Sequence, residues 1–290
     1  MNINWYPGHM NKARRLIGET MPKVSLVIEV LDARLPHSSE NPLVPKLRGD
    51  TPCIKVLNKQ DLADPVVTAQ WVTWLERERG VRALPLSRDA PEVARSLLKI
   101  GQDLVGQDRW NRVGGVHAMI LGIPNVGKST LINVLAGRKI AKTANKPAVT
   151  QHQQPVRIDS RLTLLDTPGF LWPRLYPAER GFRLAASGAI KDSVLELDGI
   201  AFWLCGQLRE RYPAGFKARF GLDELPEDTE ALFAAIARKR GAQGRKGRIN
   251  MRKVSEIVLR EFRSGMFGRV SLETPADIPV EADSEAVELA

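Results

Sequence analysis

Residues 116–137 read VHAMILGIPNVGKSTLINVLAG, an apolar run followed by a glycine-rich turn and a segment with helical spacing. Within this stretch, Gly122 is followed after four residues by Gly127, Lys128 and Ser129, which is the GxxxxGKS pattern. In such a loop between a strand and a helix, backbone amides cradle phosphates, the lysine reaches the β and γ oxygens, and the serine hydroxyl holds magnesium. The stretch therefore predicts a phosphate loop, residues 122–130, in an α/β fold.

The sequence on both sides of this loop favours a sheet with flanking helices, because apolar runs alternate with helical patterns. Four runs predict buried parallel strands: VSLVIEVL (24–31), PCIKVL (52–57), VRALPL (81–86) and VHAMIL (116–121). Between the second and third runs, Asp64 and Pro65 supply the N-cap and first residue of a crossover helix that Gly80 ends. The runs QPVRI (154–158) and RLTLL (161–165) are separated by two residues, which predicts an antiparallel hairpin.

After Pro177 the pattern changes to helical spacing, which predicts a small all-helical domain over residues 178–273. We therefore expect an α/β P-loop domain over residues 1–177, with a mostly parallel sheet flanked by helices and an N-terminal extension. Residues 274–290 are acidic and carry no Lys or Arg, so they predict a disordered tail.

The composition of the 290-residue chain limits the function classes. A net charge of +10 indicates a polyanionic partner such as nucleic acid, because Lys and Arg release counterions from phosphates. Two cysteines, Cys53 and Cys205, are too few for a disulfide framework or a zinc ribbon and are expected to be buried small hydrophobes. The sequence shows no apolar run of membrane-spanning length and no signal peptide, so we expect a soluble cytoplasmic protein without a membrane partner.

The tetrapeptide NKQD, residues 58–61, lies at the end of a predicted strand and fits a loop that recognises the guanine base. The Asp61 carboxylate can accept two hydrogen bonds from the N1 and N2 donors of guanine, an edge that adenine lacks. Asn58 can tie this base-reading loop to neighbouring backbone, and the stem of Lys59 can lie over the base. The alternative is a polar strand-end loop before the helix capped at Asp64.

The stretch LLDTPGF, residues 164–170, places a carboxylate at another predicted strand end. Asp166 can hold magnesium through water, and the Gly169 amide can sense a γ-phosphate, although DTPG is also a good turn sequence. In the polar loop KPAVTQHQQP (146–155), Thr150 is the candidate for the residue that binds magnesium when a γ-phosphate is present. The assignment of Thr150 as a magnesium ligand rests mostly on its position between the two other motifs.

The order of these motifs, with the base reader before the phosphate loop, resembles the circularly permuted GTPases. NKQD resembles the fourth GTPase motif and LSRD (86–89) weakly resembles the fifth, whereas GIPNVGKST, Thr150 and DTPG are similar to the first, second and third. The more specific resemblance is to the YlqF family and covers the chain up to about residue 273. The stretches that carry it are WYPGHMNKARR (5–15), DARLPHSSENP (32–42), DTPGFLWP (166–173) and EFRSGMFGRVSLE (261–273).

This resemblance implies a GTPase that acts late in assembly of the large (50S) ribosomal subunit, binds rRNA in its GTP form and leaves after hydrolysis. It implies GTP or GDP and Mg²⁺ as cofactors, stimulation by ribosomal particles, and a monomer in solution. The implied base contacts are Asn58, Lys59, Gln60, Asp61, Leu86 and Ser87. The implied phosphate contacts are Asn125, Val126, Gly127, Lys128, Ser129, Thr130 and Gly169, and the implied magnesium ligands are Ser129, Thr150 and Asp166. Two positions depart from the family pattern, Arg88 after Ser87 and Ala148 before the second motif.

Phe170 stands where Ras-like GTPases place the glutamine that orients water, so hydrolysis needs another group. The resemblance implies that Asn125 binds a potassium ion; the alternative is an amide that tightens its own turn. His9 is the other candidate, as a catalytic group, with a helix-capping histidine or an RNA contact as alternatives.

The densest basic run, ARKRGAQGRKGRINMRK (237–253), has eight Lys or Arg and no acidic residue. Such a run is usually a solvated face, but the resemblance favours phosphate contacts to rRNA. The candidate RNA-binding residues are Lys12, Arg14, Arg15, Arg238, Lys239, Arg240, Arg245, Lys246, Arg248, Arg252 and Lys253. Two other functions stay open: an RNA-binding module with nucleotide as a structural ligand, and a P-loop ATPase with a fortuitous NKQD.

Overall fold

A six-stranded sheet organises the protein, for which a computed structural model describes residues 8–87, 92–112, 114–140, 154–243 and 248–278. The strands are β1 (Leu26–Asp32), β2 (Cys53–Asn58), β3 (Val81–Leu86), β4 (Val116–Gly122), β5 (Gln154–Arg157) and β6 (Leu162–Asp166). Their order is β3-β2-β1-β4-β6-β5, and every neighbouring pair is parallel except β5 with β6. The predicted α/β fold, its mostly parallel sheet and its one antiparallel hairpin are confirmed.

Helices cover the sheet and form the C-terminal part of the chain. Those of the first part are α1 (Gly8–Thr20), α2 (Pro36–Ser39), α3 (Leu43–Arg48), α4 (Pro65–Leu75), α5 (Glu92–Val105), α6 (Gln107–Trp110) and α7 (Lys128–Ala136). Those of the second part are α8 (Ala178–Ser187), α9 (Leu197–Arg211), α10 (Pro213–Phe220), α11 (Thr229–Lys239) and α12 (Met251–Arg263). Among the helices of the described residues, none combines the length and apolar character needed to cross a bilayer.

Helix α4 shows how local chemistry sets an element. The Asp64 side chain accepts hydrogen bonds from the amides of Val66 and Val67 at 2.9 and 3.3 Å, which satisfies donors that the first helical turn leaves open. Trp71 and Leu75 fall one turn apart and are both buried against the sheet. The predicted cap and first residue of this helix are confirmed, whereas the helix ends at Leu75 and not at Gly80 as predicted, because residues 76–80 form turns.

The register of the parallel strands brings their carboxyl ends to one edge of the sheet. Asp32 at the end of β1 lies opposite Asn58, and Asn58 lies opposite Leu86 at the end of β3. On the other side, Asp166 at the end of β6 pairs with Ile120, two residues before the phosphate loop. Open α/β sheets bind their ligands at this edge.

Helices α8–α12, the helical module of residues 178–263, begin where the sequence pattern predicts helical spacing. Their buried apolar residues, such as Leu204, Phe233 and Val258, belong to the same contiguous cluster as those of the sheet. Cys205 lies in this core and Cys53 lies in β2, so both cysteines are buried as predicted. Burial raises the pKa of Cys53 to about 12, which keeps its thiol protonated and unreactive.

After α12 the chain returns to the sheet. The amide of Val270 donates to the carbonyl oxygen of Leu62 at 2.9 Å, and the amide of Leu272 donates to that of Arg34 at 2.7 Å. Residues 275–277 form a 3-10 helix, and Ile278 packs against the cluster around Trp71. For residues 274–278 the structure therefore corrects the prediction of a disordered tail, since apolar and hydrogen-bonding contacts hold them; residues 279–290 lie outside the described residues.

Candidate functional site

The phosphate loop depends on glycine at both of its ends. Gly122 has φ 145°, and a Cβ there would lie 2.6 Å from the carbonyl oxygen of Val30 in the neighbouring strand. Gly127 has φ 107° and caps the N-terminus of α7. Other residues rarely adopt such a backbone, and the first amides of a helix present donors to an anion. The geometry is that of an anion cradle leading into α7.

Lys128 is held inside this loop. Its Nζ donates to the carbonyl oxygens of Gly122 and Ile123, each at 2.9 Å, and the residue is 7% exposed. Burial lowers the pKa of Lys128 to about 8, while the Asp166 carboxylate favours the charged form. A Cβ on Gly169 would lie 2.9 Å from Lys128 Nζ. The glycine of the third motif thus packs directly against the lysine that the sequence predicts for phosphate binding.

The predicted magnesium ligands lie on the elements that meet at this loop. Ser129 is in the first turn of α7, and Asp166 is buried at the end of β6; Thr150 lies outside the described residues. Within the described residues, no group of three or more His, Cys, Asp or Glu side chains could hold a metal by itself. Ser129 and Asp166 together fit Mg²⁺, because this ion takes one or two protein ligands and completes its shell with phosphate oxygens and water.

The base-reading loop is bonded to the phosphate loop. Asn58 Nδ2 donates to the carbonyl oxygen of Val126 at 2.6 Å, and a Cβ on Gly127 would lie only 2.1 Å from that nitrogen. Asn58 is buried, so it ties the loop to neighbouring backbone, as the sequence predicts. The two motifs begin 64 positions apart in the chain, at residue 58 and residue 122. The fold nevertheless brings them into contact.

The other predicted base contacts lie around the same strand ends. Asp61 is exposed in a short 3-10 helix, residues 60–62, and Gln60 is half-buried beside it. Leu86 is buried at the end of β3, and Ser87 follows it half-buried. Arg88, the departure noted next to Ser87, lies outside the described residues.

Asp32 contacts Lys59 of the base-reading loop and Arg34 holds Asp32, and the sequence reasoning named neither as a site residue. Lys59 has φ 63° and donates from Nζ to Asp32 Oδ2 at 2.7 Å; Arg34 donates to both oxygens of the same carboxylate at 2.9 and 2.8 Å. Burial alone would raise the pKa of Asp32, but Arg34 and Lys59 outweigh it and hold that pKa well below its usual range. An acidic residue at a strand end, two positions before an arginine in DARLP, was the available signal.

Asn125 lies in the phosphate loop and contacts the helical module, and Phe170 lies in the segment that leads into the module. Asn125 has φ 58° and donates from Nδ2 to the carbonyl oxygen of Gly188 at 2.8 Å, so a potassium ion would have to bind through Oδ1. Phe170 is fully buried, and its carbonyl oxygen accepts from Asn41 Nδ2 at 3.3 Å. The Phe170 side chain is therefore packed in the core rather than turned toward a water molecule.

His9 lies in the first turn of α1, and its side chain lies outside what the structure describes. The next residue, Met10, is fully buried, and its sulfur accepts a hydrogen bond from the amide of Leu171 at 3.4 Å. The first turn of α1 therefore contacts the segment that directly follows the third motif.

The predicted RNA-binding residues divide into three groups. Exposed side chains are Lys12, Arg14, Arg15, Arg238, Lys239, Arg248, Arg252 and Lys253. Arg245 and Lys246 lie outside the described residues. Arg240 differs because it is half-buried, donates to the carbonyl oxygen of Arg219 at 3.0 Å and stacks over Phe220. A groove of about 470 Å³ beside it is lined by Arg219, Arg240, Lys253, Glu256, Ile257, Arg260 and Glu261.

Comparison with known proteins agrees with this arrangement. The sequence profile described as "50S ribosome-binding GTPase" matches residues 117–204. Ribosome biogenesis GTPase A of Priestia megaterium is 41% identical over 285 residues, covering 96% of this chain and 98% of the relative. The protein of the same name from Bacillus pumilus is 42% identical over 281 residues, covering 95% and 99%.

Solved structures show the same likeness in three dimensions. A GDP-bound YlqF superposes with a TM-score of 0.65 at 28% identity, covering 91% of this chain and 100% of the other. A GNP-bound YlqF from Thermotoga maritima gives 0.66 at 29% identity, covering 92% and 100%. With more than 40% identity to curated relatives over nearly its whole length, the chain belongs to the ribosome biogenesis GTPase A (YlqF) family.

Proposed function

We propose that this protein binds GTP with magnesium, hydrolyses it to GDP and phosphate, and acts late in the assembly of the 50S ribosomal subunit. The observation that carries the proposal is the hydrogen bond from Asn58 to the Val126 carbonyl, which joins the base-reading loop to the phosphate loop. The motifs that precede the phosphate loop in the chain thereby serve one composite site. The names of the relatives above support the cellular role.

Guanine is selected by Asp61, whose carboxylate accepts from the N1 and N2 donors of the base. Asp61 lies in the same loop as Asn58, which anchors that loop to the phosphate loop. Lys59 and Gln60 flank the base, and Leu86 with Ser87 closes the site from the end of β3. The pairing of Asn58 with Leu86 at the carboxyl ends of β2 and β3 supports a base site at this edge of the sheet.

The phosphates bind in the loop between β4 and α7. Asn125, Val126, Gly127, Ser129 and Thr130 surround them, and Lys128 neutralises charge on the β and γ oxygens. Ser129 and Asp166 would hold magnesium, with Thr150 joining them when a γ-phosphate is present. Magnesium held there would supply electrostatic stabilisation of the charge that develops on the phosphate oxygens. In this proposal the Gly169 amide senses the γ-phosphate, and the close packing of Gly169 against Lys128 Nζ supports that role.

Hydrolysis has to proceed without a water-orienting side chain at position 170, since Phe170 is buried. Two groups are candidates for that work: a potassium ion bound through Asn125 Oδ1, and His9 from the first turn of α1. Contacts with ribosomal particles would complete the site, which explains why stimulation of hydrolysis by those particles is expected.

The nucleotide state reaches the ribosome through the helical module. Helix α8 begins nine residues after Gly169, at Ala178, so the segment that senses the γ-phosphate leads directly into the module. Asn125 in the phosphate loop also contacts the module, at Gly188. We propose that GTP favours the docked arrangement that binds rRNA and that hydrolysis releases the protein.

The basic residues of the module contact rRNA phosphates in this proposal. Exposed Arg238 and Lys239 end α11, and exposed Arg248, Arg252 and Lys253 surround the start of α12. Their long side chains carry charge into solvent, where they can release counterions from an RNA backbone. Arg245 and Lys246 belong to the same run in the sequence. The exposed cations of α1, Lys12, Arg14 and Arg15, would extend this surface.

Sedimentation with purified large-subunit precursors tests the proposal. The protein should pellet with the particles in a non-hydrolysable GTP analogue and stay in the supernatant in GDP. The double variant Arg238→Glu, Lys239→Glu should lose pelleting at moderate salt. Its matched control is Arg77→Glu, Arg79→Glu, which reverses two exposed charges next to α4 and should pellet normally. Equal pelleting in both nucleotides would contradict the proposal, and GTP turnover that particles leave unchanged would favour a structural nucleotide.

A further inference from the structure

A cluster of charged side chains, Asp32, Arg34 and Lys59, joins the base-reading loop to the end of β1. Asp32 is 1% exposed and ends β1, directly opposite Asn58. Its carboxylate is shared by two cations: Lys59 Nζ at 2.7 Å, and the guanidinium of Arg34 through Nε at 2.9 Å and Nη2 at 2.8 Å. Such two-pronged arginine–carboxylate pairs fix the orientation of both groups. Lys59 is therefore hydrogen-bonded to a carboxylate whose orientation Arg34 fixes.

Arg34 has a third bond that leaves the sheet. Its Nη1 donates to the carbonyl oxygen of Phe262 at 3.0 Å, 228 positions away, and its guanidinium lies 4.5 Å from the centre of the Phe262 ring. Phe262 is in the last turn of α12, whose terminal carbonyls carry partial negative charge. The Arg34 backbone oxygen also accepts from the amide of Leu272. One side chain thus joins the base-reading loop, through Asp32, to the helical module.

We propose that Arg34 is a positioning residue for guanine nucleotide binding: it fixes Asp32 and thereby Lys59, and it couples that loop to the docked end of α12. The inference rests on the proposed role of residues 58–61 as guanine reader. Lys59 occupies the left-handed backbone region, which is unfavourable for a residue with a side chain and has to be held by its surroundings. Pre-positioning the lysine avoids loss of its rotamer freedom on binding.

The variant Arg34→Lys tests this role, because lysine keeps the charge but loses the planar fork. The affinity for GDP and for a non-hydrolysable GTP analogue should fall by a similar factor, about tenfold, since the base is common to both. The rate of GTP hydrolysis at saturating nucleotide should change little, because the cluster lies away from the γ-phosphate.

The matched control is Arg180→Lys. Arg180 is also buried, and its guanidinium lies 4.3 Å from the centre of the Trp172 ring. It joins the helical module to α2 by donating to the carbonyl oxygens of His37 and Glu40 at 2.8 and 2.6 Å. These carbonyl oxygens lie outside the base-reading loop, so Arg180→Lys should leave nucleotide affinity within about twofold of the parent. If Arg34→Lys weakens binding no more than Arg180→Lys, the inference is overturned.

A double variant separates positioning from general destabilisation. Lys59→Met alone should weaken binding, and adding Arg34→Lys should cause no further loss, because both changes remove the same interaction. Independent, multiplying losses would contradict the proposed route through Lys59. The parent protein must itself bind GDP in these assays; failure at that step would refute the proposed function rather than this inference.

Hydrogen exchange on the unaltered protein gives a measurement that does not depend on the variants folding. GDP should slow exchange of the Val270 and Leu272 amides, which donate to Leu62 and Arg34 next to the loop. Unchanged exchange at both amides, with GDP bound at saturation, would show that base binding and the C-terminal attachment are uncoupled.

Discussion

At the scale of the residue, the proposed selection of guanine rests on Asp61. Replacing it by asparagine, Asp61→Asn, should shift preference from GTP to xanthosine triphosphate, because the amide can donate to the carbonyl that xanthine has at position 2. The affinity for GTP should fall by roughly a hundredfold or more, since buried donors of the base are left unpaired. Competition of labelled GTP by unlabelled GTP, xanthosine triphosphate and ATP measures the change. Asp50→Asn, an exposed site outside the loop, is the control, and an unchanged preference for GTP would sink the assignment.

Glu29 offers a second test at this scale, through stability rather than binding. It lies in the middle of β1 with no exposed surface, and it accepts from the Asn41 amide at 3.0 Å. Burial, with the neighbouring Glu40 carboxylate second, raises the pKa of Glu29 to about 8. The folded protein therefore keeps a proton up to that pH, whereas the unfolded chain releases it near the ordinary value for a glutamate.

Between the unfolded and folded pKa values of Glu29, the unfolded chain binds fewer protons than the folded protein. The free energy of unfolding therefore falls as the pH rises through this range. One such proton contributes a slope of about 1.4 kcal/mol per pH unit within this window. Glu29→Gln cannot titrate, so its free energy of unfolding should depend less on pH there. Urea unfolding at several pH values measures this, with exposed Glu210→Gln as control. Parallel profiles for Glu29→Gln and the parent would contradict the account.

At the scale of the element, α7 has a left-handed glycine at each end, and the two ends differ in what surrounds them. A Cβ on Gly127 would meet Asn58 Nδ2 at 2.1 Å, whereas a Cβ on Gly137 has nothing within 4 Å. Gly127→Ala should therefore displace the base-reading loop from the phosphate loop and weaken GDP binding by about a hundredfold, as ångström-scale misplacement does in such sites.

Gly137→Ala is the internal control for that prediction. It should cost about 1 kcal/mol of stability from the left-handed backbone but leave GDP affinity unchanged. Isothermal titration with GDP and thermal unfolding of both variants make the comparison. Equal effects of the two changes on affinity would show that the contact with Asn58 is unimportant.

Elements were also the scale at which the sequence was most informative. Parallel strands buried on both faces appear as continuous apolar runs, so β1–β4 were recognisable, and Asp64 with Pro65 identified the start of α4. The base-reading and phosphate loops were recognisable because each chemistry restricts several neighbouring positions. These features depend on residues close together in the chain.

Contacts between distant positions were not predictable in the same way. The bond from Arg34 to Phe262 and the bond from Asn125 to Gly188 depend on how α12 and α8 pack on the sheet, which no local pattern encodes. The same holds for residues 274–278, whose acidic composition suggested a tail although Ile278 packs near Trp71. Sequence reasoning found the residues proposed to touch the nucleotide and missed those that hold them in place.

At the scale of the whole molecule, the helical module is attached on two sides of the site. Its first helix follows the third motif, and Asn125 binds Gly188 beside the phosphate loop. The last turn of its last helix, α12, is bonded by Arg34 at the Phe262 carbonyl oxygen. The residues that follow α12 return to Leu62 beside the base-reading loop. The permuted order of the motifs places the chain connection to the module on the γ-phosphate side. In the proposed mechanism, the module is therefore attached both to the loop that reads the base and to the segment that senses the γ-phosphate.

The central claim is that a guanine nucleotide read by residues 58–61 controls binding to the large-subunit precursor. The most direct test is sedimentation of the Asp61→Asn variant with these particles. The account predicts that it pellets with a non-hydrolysable xanthosine triphosphate analogue and not with the GTP analogue, while the parent protein shows the reverse. Pelleting of the variant with the GTP analogue, or of either protein regardless of nucleotide, would contradict the claim.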